Sequence, residues 1–357
     1  MSLQVDEYIG HSSPGARTDV AETGKAAFMT EGGNVIERLV RRIDRFQQAH
    51  RPLAFAYGVI KKYGDDRGGQ LGGLIAFYGF LSFFPLMLVV VTLTAFVSRN
   101  NPHLANQIRD SALKQFPIVG PDLVDRQKAL PGSGFGLAVG LAGLVWGALG
   151  VTQAIQYAFA EVWHVPYKDR PNFFVRLFRG LSLFALLGAG VVATVVLTSL
   201  GGLIGSSLLA GAAGVAAATA LSIGLYLVVF RLLSPKHLRW TELLPGAVVA
   251  GVGWQVLETV GVRLVQNQLR HSSQLYGTVG IVLGLIFFLS LVSQLTLYGL
   301  EIDAVRVDRL WPRSIVQPPL TDADRELFRT MARQEERRDE QRVTVSFDDE
   351  ARSGDVG

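Results

Sequence analysis

Six long apolar segments run through the chain between Leu71 and Asp303, and its Lys and Arg residues gather on alternate sides of them. The first, Leu71 to Ser98, carries no ionisable side chain over about 28 residues, more than the ~20 that a helix rising ~1.5 Å per residue needs to cross a ~30 Å hydrocarbon core. Water-soluble folds rarely tolerate such a run. In a bilayer every backbone N–H and C=O must be satisfied inside a helix, and polar side chains persist only where they pair or line a cavity. The fold class expected is therefore all-α: a polytopic membrane bundle of six transmembrane helices with an N-terminal amphipathic interfacial helix.

The six spans read as Leu71 to Ser98, Gly134 to Ala160, Leu177 to Gly205, Ser207 to Leu233, Leu243 to Gln266 and Gly277 to Leu300. The third and fourth form one apolar stretch, too long for a single crossing, and the cluster Gly201-Gly202 with Gly205-Ser206-Ser207 offers the tight turn. Basic residues flank one side: Arg51, Lys61, Lys62 and Arg67, then Lys168, Arg170 and Arg176, then Arg231, Lys236 and Arg239, then Arg306, Arg309 and Arg313. By the positive-inside rule both termini are expected in the cytoplasm of a multi-pass cell (inner) membrane protein. The longer Arg99 to Ser133 connection, with mixed charge, falls on the other side.

Four regions follow: a disordered leader at 1–33, an amphipathic interfacial segment at 34–70, the membrane domain at 71–303 and a charged tail at 304–357. Asn34 and Glu37 have capping-box spacing ahead of Ile36, Leu39, Val40, Ile43 and Phe46, while Arg38, Arg41, Arg42 and Arg45 crowd the polar side. Such a helix can lie on anionic lipid of the inner leaflet or pack on a cytosolic loop of the same protein. In the tail, Thr321 or Asp322 can cap a short helix bearing Leu327, Phe328 and Met331, within a segment expected to be solvated. Membrane lipids are the expected partners, with a lipid, glycolipid or ion as substrate; nucleic acid is not, since the net charge of +4 is modest.

Pro85 interrupts the first span and should kink it, with Tyr78 and Ser82 placed to satisfy freed carbonyls; the kink serves either gating or packing. Small residues four apart, Gly136 with Gly140, Gly143 with Gly147, Ala247 with Gly251 and Gly280 with Gly284, allow close helix approach. Intramembrane polar residues fall in two layers: Gln153, Gln156, Gln294, Glu301 and Asp303 near the cytoplasmic end, Gln255 and Glu258 toward the outside. Together they are candidates for a polar transport path. The chain has no Cys, no phosphate-binding Gly-x-x-x-x-Gly-Lys loop, no Gly-x-Ser-x-Gly elbow and no His-Glu-x-x-His pair, so neither an enzyme nor a metal or other cofactor is expected.

Ala76-Phe77-Tyr78 with Leu81-Ser82-Phe83-Phe84-Pro85-Leu86, Val145-Trp146 leading to Val162-Trp163-His164-Val165, and Tyr276-Gly277-Thr278-Val279-Gly280 with Leu297 through Ala304 resemble blocks of the YihY/virulence factor BrkB family of inner-membrane proteins. The likeness spans about Arg67 to Asp303. Val265 and Asp303 stand where that family often has Tyr and Asn. The resemblance implies a six-helix inner-membrane domain with cytoplasmic termini, and associations with envelope biogenesis, lipid transport or ion exchange. The label ribonuclease BN, common in the family, lacks support in the residues, because the chain has no His/Asp cluster of the kind a metal-dependent nuclease uses. The leading expectation is a transporter or envelope-lipid translocator. Its alternatives are a non-transporting scaffold for envelope biogenesis and a cation/proton exchanger.

Overall fold

The computed structural model describes residues 38–98, 134–204, 208–234, 238–269, 277–317 and 319–347. The Asn34 cap, the leader and the Arg99 to Ser133 connection lie outside them. Among the described residues the chain is helical with no strand: α1 (38–49), α2 (Arg51–Asp65), α3 (Gly68–Ser98), α4 (Gly134–Val162), α5 (Phe173–Ile204), α6 (Leu208–Leu233), α7 (Trp240–Leu269), α8 (Gly277–Val307) and α9 (Asp322–Gln334). Five of the six long helices contain a described stretch long and apolar enough to cross a membrane: Gly68–Leu86, Phe173–Thr194, Gly211–Leu233, Trp240–Gly261 and Val282–Val307. The other, α4, is 29 residues long and carries Glu161 as its one acidic or basic side chain.

Helices outrun their apolar windows where partners permit it. α5 begins at Phe173 rather than Leu177, and it continues through Gly201 and Gly202, leaving the turn to residues 205–207 outside the described set. α8 runs past Leu300 to Val307 because the carboxylates of Glu301 and Asp303 find donors. Pro85 lies within one continuous helix. The Ser82 hydroxyl donates to the Gly79 carbonyl at 2.9 Å, three residues back, and so does not serve Leu81, the carbonyl that Pro85 leaves free. What these residues do is pack. A Cβ on Gly143 would come within 3.1 Å of the Pro85 ring, one on Gly147 within 2.7 Å of Ser82 Cα, and one on Gly150 within 2.5 Å of the Tyr78 ring. The glycine ridge of α4 is thus the seat of α3.

α3 packs on α4 and α8, α8 on α7, α7 on α6 and α6 on α5. The circuit closes at Thr152 of α4 against Gly180 of α5. The main core joins Leu71 and Ile75 of α3, Ala154 to Val162 of α4, Leu183 of α5, Phe230 of α6, Leu243 to Ala250 of α7 and Leu297 to Ala304 of α8. Each lies within about ten residues of one end of its helix, so the core is a slab roughly 15 Å deep. That end, called here the tail end, is where α2 and the C-terminal segment pack: Val59, Val305, Leu310 and Leu327 make a second cluster beneath the slab. Toward the other end packing is sparse. Residues 211–220 of α6, 252–261 of α7 and 286–292 of α8 include no buried residue on any face, and Phe83 with Leu285 forms the one buried cluster described there.

The tail differs from a solvated appendage. α9 starts with the capping box of Thr321 and Asp324, and Leu327 is fully buried. A cis peptide joins Trp311 to Pro312.

Candidate functional site

The turn of α2 that meets the slab carries Lys62, whose side chain is fully buried. An ammonium there requires all three of its donors to be used. Nζ donates to Glu301 Oε2 at 2.9 Å, to Asp66 Oδ2 at 2.5 Å and to the Val162 carbonyl at 2.8 Å. Burial by itself lowers the Lys62 pKa, but the charges of Glu301 and Asp66 carry it above its ordinary value. The other oxygen of Asp66 meets His164 Nε2 at 3.0 Å. Burial raises the Asp66 pKa, and Lys62 and His164 more than reverse that. His164 follows the end of α4 with φ of 45°, a left-handed position that Gly usually holds. Its imidazole is retained there in contact with Asp66. This cluster joins α2, α4 and α8.

A second cluster fixes the tail. Buried Arg313 donates from Nε to Asp324 Oδ1 at 2.5 Å and from Nη2 to Asp65 at 2.7 Å. Lys61 reaches Asp324 at 3.1 Å and the Ser314 carbonyl at 2.6 Å. Asp324 Oδ2 accepts from the amides and hydroxyls of Ser314 and Thr321. Burial pushes the Asp324 carboxyl up, yet Arg313 and these donors hold it far below the ordinary carboxylate range. Between the two clusters opens a cavity of about 480 Å³, whose lining includes Asp65, Asp66, Leu74, Tyr157, Glu161 and His164. Glu161 pairs with Arg170 at 3.0 Å and accepts from Gln334 of α9, while Lys168 pairs with Glu336 at 2.8 Å. The tail therefore forms one wall.

The residues expected to line a polar path are distributed among separate tasks. Gln153 accepts from Arg176 Nη2 at 3.1 Å, and Gln156 donates to the Arg176 carbonyl at 3.1 Å; both fasten the start of α5 to α4. Gln294 packs near Gly72 of α3. Asp303 accepts from the Gly246 amide at 2.8 Å, one residue after Pro245. Arg306 donates to the Thr241 carbonyl at 3.4 Å, the group that Pro245 cannot reach. Asp303 Oδ2 and Glu301 Oε1 are buried and accept no hydrogen bond among the described residues. Gln255 and Glu258 belong to the sparsely packed half of α7. Glu258 lies twelve residues beyond Gly246, ~18 Å along the helix, and no partner for it occurs among the described residues. Sequence reasoning missed Lys62, Asp66, His164, Arg313 and Asp324. The four-residue spacing of Lys62 and Asp66 was a usable signal; the partners on other helices gave none.

A family model described as virulence factor BrkB matches residues 59–318. The inner membrane protein YhjD of Escherichia coli (strain K12) is 28% identical over 270 residues, covering 69% of this chain and 79% of that protein. The putative ribonuclease-like protein YfkH of Bacillus subtilis (strain 168) is 25% identical over 267 residues, covering 71% and 95%. No solved structure matches the chain.

Proposed function

From the premise that this integral membrane protein belongs to the virulence factor BrkB family, we propose that it is a non-enzymatic translocator of an envelope lipid, glycolipid or ion in the inner membrane. We place both termini in the cytoplasm, with α4 as a sixth crossing. The observation that carries this reading is the uneven packing of the bundle. A slab at the tail end seals six helices together, while the opposite halves of α6, α7 and α8 have no buried residue on any face over the stretches named above. Such a shape is that of a vestibule closed at one end. Glu258 and Gln255 belong to that open half, where an ionisable group persists only if it is used or paired. The inner membrane location draws on the relative named as an inner membrane protein. Against a nuclease, no three His, Asp or Glu side chains converge as a metal site would require among the described residues.

Reconstitution in liposomes, with lipid scrambling and proton flux followed side by side, tests the reading. The parent protein should move one class of substrate. Glu258→Gln should suppress that movement while the thermal unfolding midpoint in detergent stays within a degree or two. Wild-type transport in Glu258→Gln would remove the residue from the path. Failure of the parent with every lipid and ion would favour a scaffold. That second reading rests on the slab, where Gln153, Gln156 and Lys62 are all engaged in fastening helices. Proton flux without lipid movement would instead indicate a cation/proton exchanger.

A further inference from the structure

α1 is inverted relative to a helix on a soluble protein. Its buried side chains are polar: Gln47 donates to the Arg313 carbonyl at 2.7 Å, and Asp44 accepts from the Ile315 amide at 3.0 Å and from Gln47 and Gln48. Its large apolar side chains point outward, with Leu39 58%, Ile43 51% and Phe46 58% exposed. At ~100° per residue, three faces emerge about 120° apart. Asp44, Gln47 and Gln48 face the tail, Arg38, Arg41, Arg42 and Arg45 form a second face, and Leu39, Ile43 and Phe46 form the third. α2 repeats the arrangement. Ala54, Gly58, Val59 and Lys62 turn inward, and Leu53 and Ile60 stand exposed on the opposite side.

The height of these helices identifies what covers the apolar ridge. Lys62 of α2 donates to the carbonyl of Val162, the last residue of α4. α2 thus crosses the bundle where its long helices end. At the same level Phe173 and Phe174 open α5 and Trp240 opens α7, all exposed, as aromatic side chains are at a membrane boundary. An apolar ridge at that level with a row of arginines beside it matches acyl chains bordered by anionic headgroups. We propose that α1 and the outer face of α2 form a membrane-surface collar that seats the tail end of the bundle on an anionic phospholipid leaflet.

The chain has no cysteine, so single cysteines at Ile43, Phe46, Ile60 and Arg42 can carry the dye NBD in the full protein, reconstituted in phosphatidylcholine with or without phosphatidylglycerol. At 43, 46 and 60 quenching by nitroxides on the lipid chains should exceed quenching by aqueous iodide several-fold, and the excess should grow with phosphatidylglycerol. At 42 iodide should quench more strongly. Iodide quenching at 43 and 46 equal to that at 42 would overturn the proposal. So would protection of 43 and 46 from both quenchers, which would mean that protein covers the ridge. These side chains are exposed, so their replacement removes no packed contact. Arg42→Gln with Arg45→Gln should abolish the effect of phosphatidylglycerol, and an undiminished effect would refute the role of the arginines.

Discussion

Lys62 shows how one residue ties distant segments together. Its three bonds reach α4, α8 and the turn after α2, so its removal leaves Glu301 as an unpaired buried carboxylate. Breaking a buried pair from one side typically costs ~3–5 kcal/mol, whereas replacing both partners with apolar groups is often close to neutral. Lys62→Met should therefore lower stability in detergent by about 3 kcal/mol or more, and Lys62→Met with Glu301→Leu should recover most of the loss. Thermal unfolding of both single variants and the double variant measures the coupling. Additive losses would show that the two charges act independently.

Among the elements, α9 is held by a single carboxylate that meets Arg313, Lys61, Ser314 and Thr321. Asp324 has its folded-state pKa below the ordinary 3.8. Stability from a depressed carboxylate is fully present above the ordinary value and is lost as the pH falls through the folded one. Docking of the tail should accordingly be unchanged between pH 5 and 7 and weaken progressively below about pH 4. Limited proteolysis near Arg329 and Arg333, exchange protection of α9 amides, or both, would follow it. Asp324→Asn should expose the same sites at neutral pH. A tail equally protected in that variant would mean that Leu327 and its apolar neighbours suffice to hold it.

At the scale of the whole molecule, the six long helices and the shared position of α2 and α9 give an even number of crossings. Cysteines at His50 and Asp339 should be labelled by an impermeant reagent from the cytoplasmic face of oriented vesicles, and one at Asn106 from the opposite face. Labelling of His50 and Asp339 from opposite faces would require an odd number of crossings. Arg313 is unsuitable as a reporter because it is fully buried.

Membrane class and helix positions were legible in the sequence, because a bilayer penalises every unsatisfied backbone group and every unpaired charge. Apolar length alone then fixes where helices run. The Thr321 cap and the stripe through Leu327 were legible for a similar reason: capping and periodicity are local. Partnership was not legible. Lys61 and Lys62 read as a basic belt at a helix end, yet one is sealed among Glu301, Asp66 and Val162 and the other serves the tail. Gln153, Gln156 and Asp303 read as a path, yet each fastens two helices. A charge in sequence carries no record of which helix it will face, since its partners stand up to 239 residues away. Hydrophobic patterning determined that these helices form and in what solvent; only the tertiary arrangement decided which polar groups are structural pairs, because pairing depends on distances between helices that no local pattern encodes.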